Sequence, residues 1–245
     1  MHRHGVDFSG ADDGGTHKIR VASWPEGGVV QLERTNRAAL VRSIRDGALR
    51  GESHLWRIDA PGGLPSATLA AHGVEGNWGA AARWARDFGS ARAFRNALRS
   101  VSRVEPRRET DQELRAPLAP MNLRVFKQTW SFIAEVLLPL HEAGVSIVPM
   151  APTASSVVVC EGCPASLLRI HGWPSHGYKG GGDPPRRRRE EFVRRLSERS
   201  IPLSSAQCAQ AVDDTEGDIL DAFILLMDPL PTAVPQQGLV EGWIY

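Results

Sequence analysis

Lysine is almost absent from this chain of 245 residues. Of its 29 basic side chains only Lys18, Lys127 and Lys179 are lysines, and the rest are arginines. We read that bias as genome composition first and phosphate recognition second. Cysteine is scarce as well: three residues make no disulfide framework and suit a reducing cytoplasm. No apolar run approaches the ~20 residues of a membrane span, so no membrane partner is expected. The start, Met1-His2-Arg3-His4 running into Gly5-Val6-Asp7, carries no apolar signal-peptide core. Excess charge of one sign is missing too. A formal net charge of +1 argues against a general nucleic-acid coat, whose affinity comes mainly from neutralising phosphates. It does not argue against a nuclease with one local basic patch. What is present, 42% hydrophobic and 23% charged residues, is the composition of a globular protein. The length fits one large domain or two small ones, and we expect a single domain over 1–245 with a helical and loop insertion around 77–143.

The first sixty residues read largely as strands. Gly5-Val6-Asp7-Phe8 is extended, Asp12-Asp13-Gly14-Gly15 is a hairpin-type turn, and Lys18 to Ala22 alternates polar and apolar. Pro25-Glu26-Gly27-Gly28 makes a second turn and Val29 to Leu32 a third strand, which together form an antiparallel meander. An amphipathic helix with Leu40, Val41 and Ile44 on its apolar side follows, then a fourth strand, Leu55 to Asp59. Helix is predicted from about Asn77 to Ser100, interrupted near Gly89. Residues Val104 to Pro120 show no period and read as loop. Leu123 to Ala143 is helical again, with Pro139 bending or ending it. Val145 to Val148 is a short strand, and Val157 to Glu161 is a β-branched run suited to burial on both faces. Helices are then predicted over Pro164–Ile170, Arg186–Arg199, Ser205–Val212 and about Thr215–Met227. A loop covers Pro229 to Gln237, and Leu239 to Tyr245 adds an edge strand.

That order of elements matches a ribonuclease H-like α/β architecture, a mixed sheet with a three-strand antiparallel meander plus parallel strands, flanked by helices. Acidic residues sit where such a sheet needs them: Asp7 on the first strand, Asp59 ending the fourth, Glu161 ending a later one, and Asp218 and Asp221 on the final helix. Each also has a plain structural role available. Asp7 and Asp59 border turns, and Thr215 to Asp218 has capping-box spacing. Asp221 is harder to place that way, because its neighbours are Ile219, Leu220, Ala222, Phe223 and Ile224, and a carboxylate on so apolar a helix needs a cation or hydrogen bonds. Spaced i and i+3, Asp218 and Asp221 share a helix face. Clustered carboxylates suit hard divalent cations, Mg²⁺ or Mn²⁺. Two such ions about 3.5–4 Å apart activate a water and stabilise the leaving oxygen in phosphodiester cleavage.

Several short segments resemble one family. Gly5-Val6-Asp7-Phe8-Ser9-Gly10-Ala11 and Ile58-Asp59-Ala60-Pro61-Gly62-Gly63-Leu64-Pro65 are similar to the first two motifs of the domain of unknown function 429. Glu161-Gly162-Cys163-Pro164-Ala165 resembles its Glu-x-Tyr-Pro-Ala motif, with Cys163 where the family has tyrosine, and Gly177-Tyr178-Lys179 follows. Asp218-Ile219-Leu220-Asp221-Ala222-Phe223 resembles its Asp-x-x-Asp-Ala helix, and Glu241 to Tyr245 its C-terminal ending. The closing Asp-x-x-Asp-Ala also resembles Holliday-junction resolvases. The resemblance spans nearly the whole chain and implies a ribonuclease H-like nuclease. It makes Asp7, Asp59, Glu161 and Asp221 catalytic metal ligands assisted by Asp218, with nucleic acid, DNA or RNA, as partner.

Other signals are weaker. Tyr178 and Lys179 beside a triple glycine, and Arg186 at the head of a four-arginine run, are candidates for phosphate contact. A surface loop and a solvated helix start are their plain alternatives. Cys160-Glu161-Gly162-Cys163 with His171 and His176 has poor spacing for zinc, and small buried hydrophobes are the default for such thiols. Asp12 to Thr16 resembles the phosphate hairpin of sugar kinases, heat-shock ATPases and actin, which leaves a phosphotransferase as one alternative function and a non-catalytic binding module as another.

Overall fold

The two Gly-rich turns fold the first three strands back on one another, as their spacing predicts. The computed structural model describes residues 1–74, 76–228 and 233–245. Strands β1 (His2–Asp7), β2 (Ile19–Trp24) and β3 (Gln31–Thr35) form the meander. The third strand starts two residues later than its apolar run, because Val29 lies exposed and Val30 turns its N–H toward the Pro202 carbonyl. Helix α1 (Arg37–Leu49), capped by the Asn36 side chain, leads to β4 (His54–Asp59), which runs parallel to β1.

Five helices follow: α2 (Ser66–Ala71), α3 (Trp78–Asp87), α4 (Ala91–Val101), α5 (Glu109–Glu113) and α6 (Phe126–Ser131). The break at Gly89 is present, with Gly89 at φ 69° and Ser90 capping α4. Helices α2 and α5 are additions to the sequence reading. Each is only five or six residues long, too short to show a period. The stretch expected as one helix over Leu123–Ala143 contains a π-helical turn, Phe132–Leu137, before α7 (Leu138–Glu142). The wider turn accommodates Pro139, which has no N–H to donate, and the helix runs on past it.

Strands β5 (Ser146–Ile147) and β6 (Val157–Glu161) complete a six-stranded mixed sheet of order β3-β2-β1-β4-β6-β5. The other face is covered by α8 (Pro164–Ile170), α9 (Asp183–Glu198), α10 (Ser205–Asp213) and α11 (Asp218–Ile224). Helix α9 begins three residues ahead of its predicted start, since Pro184 and Pro185 fit a first turn where no N–H is needed. Helix α11 begins three residues late. Gly217 takes a left-handed φ of 78°, and the Asp214 side chain accepts from the Ile219 N–H, so Thr215 to Asp218 forms no capping box. The edge strand expected over Leu239–Tyr245 is replaced by helix α12 (Gly238–Glu241) and a single parallel bridge between Ile244 and Glu161. Of the loop expected over Pro229–Gln237, residues 229–232 lie outside the described residues.

The sheet separates two apolar cores. Val6, Val21, Trp56, Ile58, Val157 and Val159 face α1, α3 and the π-containing helix. Ala22, Phe192, Leu196, Ala222, Phe223 and Leu225 fill the opposite side. Among the described residues no helix is long and apolar enough to cross a membrane.

Candidate metal centre

Asp7 ends β1 and Asp59 ends β4, and the two are direct partners in the parallel register. Partners in register point to the same face, so their carboxylates stand side by side. That face is covered by α11, which lies against β1 at Gly5. A Cβ there would collide with the Ala222 carbonyl and the Leu225 side chain. The close approach brings Asp221, one turn into α11 and 2% exposed, over the strand ends. Ligand oxygens of Asp7, Asp59 and Asp221 all lie within 4.8 Å of one another.

Two neighbours in the chain hold Asp221. The Tyr178 hydroxyl donates to one oxygen at 2.7 Å, and the Lys179 ammonium reaches the other at 2.7 Å. The loop carrying them is pinned from below by Arg189, which is 2% exposed. Its guanidinium donates to the carbonyls of Tyr178 (2.6 Å), Gly180 (3.0 Å) and Val212 (2.7 Å). In the sequence Arg189 is only one member of a charged run. Its burial becomes legible once α9 is placed, since Phe192, Val193 and Leu196 lie on the same side of that helix.

The electrostatics are those of crowded anions. Burial, then the charges of Asp221, Asp218 and Asp59, hold the Asp7 carboxyl well above the usual carboxylate range, against the pull of Lys179. Burial and the Asp221 charge push Asp59 up to about 8. Asp221 is raised by burial, with Lys179 and Tyr178 opposing. Asp218, at the first turn of α11, is raised by burial and then by Asp214. Burial works against the Lys179 ammonium, but Asp221, Asp7 and Asp59 together lift it above the ordinary lysine value. Among the described residues no side chain or backbone N–H donates to the Asp7 or Asp59 carboxylate. Two half-buried anions side by side without donors are costly unless a cation or a proton joins them. The donor set, three carboxylates converging from separate elements, is of the hard-oxygen kind that Mg²⁺ or Mn²⁺ takes.

Glu161 is not brought into this trio. It lies beside Ile58 in the sheet, 3% exposed, with both oxygens engaged. Arg108 grips them with two bonds of 2.6 Å, and the Gly62 N–H donates to one at 2.8 Å. Asp111 takes the remaining side of the same guanidinium at 2.7 and 3.1 Å. Burial opposes the Arg108 charge, but Glu161 and Asp111 hold it firmly on. The sequence reading misses Arg108 and Asp111 because they fall in a segment without period. Arg186 also stays apart from the trio, paired with Asp213 and Glu190 on the α9–α10 side.

Above the trio opens a cleft of about 580 Å³ lined by Asp7, Asp59 and Asp218. Its other charged lining is cationic: Lys18, Arg20, Arg124, Lys127 and Lys179. All three lysines of the chain therefore converge on one cleft, although 26 arginines are scattered over the sequence. Lys127 pairs with Asp12 at 2.6 Å and Lys18 with Asp13 at 3.6 Å. The Asp12–Thr16 turn spends its Gly15 N–H on the Asp13 side chain. Cys160 and Cys163 are free and buried, their thiols pushed up to about 12 chiefly by burial. Among the described residues they belong to no group of metal-ligating side chains. No family model, curated protein or solved structure matches this chain.

Proposed function

We propose that this chain is a metal-dependent nuclease or related phosphodiesterase on a ribonuclease H-like sheet, akin to the domain of unknown function 429 proteins it resembles. One observation carries the reading. Three carboxylates from β1, β4 and α11, distant in sequence, meet within 4.8 Å, and two of them, Asp7 and Asp59, line a cleft rimmed by cations. Asp7, Asp59 and Asp221 would hold Mg²⁺ or Mn²⁺, which when bound acidifies water and offsets charge on a phosphoryl group.

The chain's own residues do the rest. Tyr178 fixes the rotamer of Asp221, and Arg189 fixes Tyr178. Asp7 and Asp59, free of donors, keep their lone pairs for the cation. Lys18, Arg20, Arg124 and Lys127 offer positive charge where a phosphodiester backbone would cross the cleft. Water entering through the open cleft would be the nucleophile, giving up a proton to solvent as the new P–O bond forms, while solvent water would protonate the leaving oxygen as its P–O bond breaks.

The test is purified protein with Mg²⁺ or Mn²⁺ on RNA, DNA, hybrid and branched substrates. Cleavage should need the metal and vanish in Asp7→Asn and Asp59→Asn. Cleavage without metal, or cleavage that survives either change, would refute the mechanism. Micromolar ATP binding would move the assignment to the phosphotransferase alternative.

A further inference from the structure

We propose that the centre takes a single divalent cation and that Lys179 fills the place of a second, as the fixed positive charge facing the substrate phosphate. This rests on the metal-dependent reading above and narrows it. A two-ion centre needs ligands on two sides. Glu161, the buried carboxylate beside the trio in the sheet, has its oxygens taken by Arg108 and the Gly62 N–H. Asp218 lines the same cleft but stands outside the group whose oxygens converge. Asp221 offers one oxygen to Tyr178 and the other to Lys179.

Charge balance points the same way. Three carboxylates against one ammonium leave two negative charges, which one divalent ion cancels. A second ion would leave an excess of two positive charges over the trio, beside a cleft rim that is itself mostly cationic. Lys179 is suited to the part. Its side chain is half exposed, at 51%, and so spans from the cleft into the trio. Its backbone is held by the Arg189 bonds to Tyr178 and Gly180. An ammonium is a compact point charge that enters a cluster of carboxylates where a planar guanidinium is bulkier. In a chain that uses arginine almost everywhere else, a lysine stands at this position.

The experiment is calorimetric and spin-resonance titration of the full chain with Mn²⁺. Wild type should bind one ion per chain. Lys179→Gln, which removes the competing ammonium, should bind that ion about tenfold more tightly while cleavage at saturating Mn²⁺ drops at least tenfold. Lys179→Arg, which keeps the charge, should hold Mn²⁺ affinity near wild type. A residue that merely supports the loop would not raise metal affinity on removal. Two ions per wild-type chain, or unchanged or weaker binding in Lys179→Gln, overturns the lysine assignment and leaves the nuclease reading standing. Wild type that binds no Mn²⁺ overturns both.

Discussion

Asp59→Asn removes one of three crowded negative charges and keeps the shape of the side chain, so it measures what the crowding costs the apo protein. Burial and the Asp221 charge raise the Asp59 carboxyl from 3.8 to about 8. The folded chain therefore keeps a proton that the unfolded chain has released. The stabilising contribution is fully present below about pH 4, declines as pH rises, and is gone above about pH 8. At about 1.36 kcal/mol for each pKa unit, the whole displacement corresponds to about 5–6 kcal/mol. Water in the open cleft relaxes part of that charge, which leaves about 2–3 kcal/mol. For a chain of this length that is about 4–12 °C in melting temperature. Melts in chelator, from about pH 4 to about pH 9, provide the assay. Wild type should lose stability toward the alkaline end, and Asp59→Asn should unfold at higher temperature than wild type there and at about the same temperature near pH 4. Excess Mn²⁺ should reverse the order, because it stabilises only the protein that binds it. A wild-type curve that is flat over this range, with Asp59→Asn melting lower throughout, would show that the three carboxylates do not repel one another.

Three further outcomes follow from the packing. Arg108→Met strands Glu161 and Asp111 as buried anions and should cost about 3–5 kcal/mol in denaturant unfolding, with Glu161→Gln in the same background recovering part of it. A loss below about 1 kcal/mol would mean the three groups are not the closed cluster described above. Gly5→Ala pushes α11 off β1 and should weaken Mn²⁺ binding at least tenfold, whereas Gly181→Ala, whose new methyl meets nothing, should leave it unchanged. Arg189→Met leaves the buried carbonyls of Tyr178 and Val212 and the part-buried one of Gly180 without this donor and should cost about 2–4 kcal/mol, with amide exchange quickening first at residues 178–180.

The sheet was legible because its signals are local. Two turns at Asp12–Gly15 and Pro25–Gly28, the alternation around β2 and the β-branched run of β6 each speak within a few residues. The errors have local causes as well. Gly217 and the Asp214 cap cut short the predicted final helix, a π turn sits unseen inside an apolar stripe, and α5 is too short to carry a period. The tail from Leu239 has the composition of a strand but meets the sheet only at Ile244, because Gly242 turns at φ 84° and Trp243 drops fully into the core.

The centre was legible for a different reason. A carboxylate at the end of an apolar strand or amid an apolar helix is anomalous in one dimension; the fold answers Asp221 with Tyr178 and Lys179 and leaves Asp7 and Asp59 without a donor. Glu161 shows why the same clue misleads. It is as anomalous as the others in sequence, yet its answer is Arg108, 53 residues upstream in a segment without pattern, and only the packed chain brings that guanidinium within 2.6 Å. The reverse holds for lysine. Three of them among 29 basic residues look like a property of composition, and position alone does not distinguish 18, 127 and 179. Folding gives the scarcity a location, since the turn before β2, helix α6 and the loop before α9 deliver all three to the rim of one cleft. A rare residue type gathered at one place is explained by what that place must hold, and here the charges on its floor call for compact cations around it.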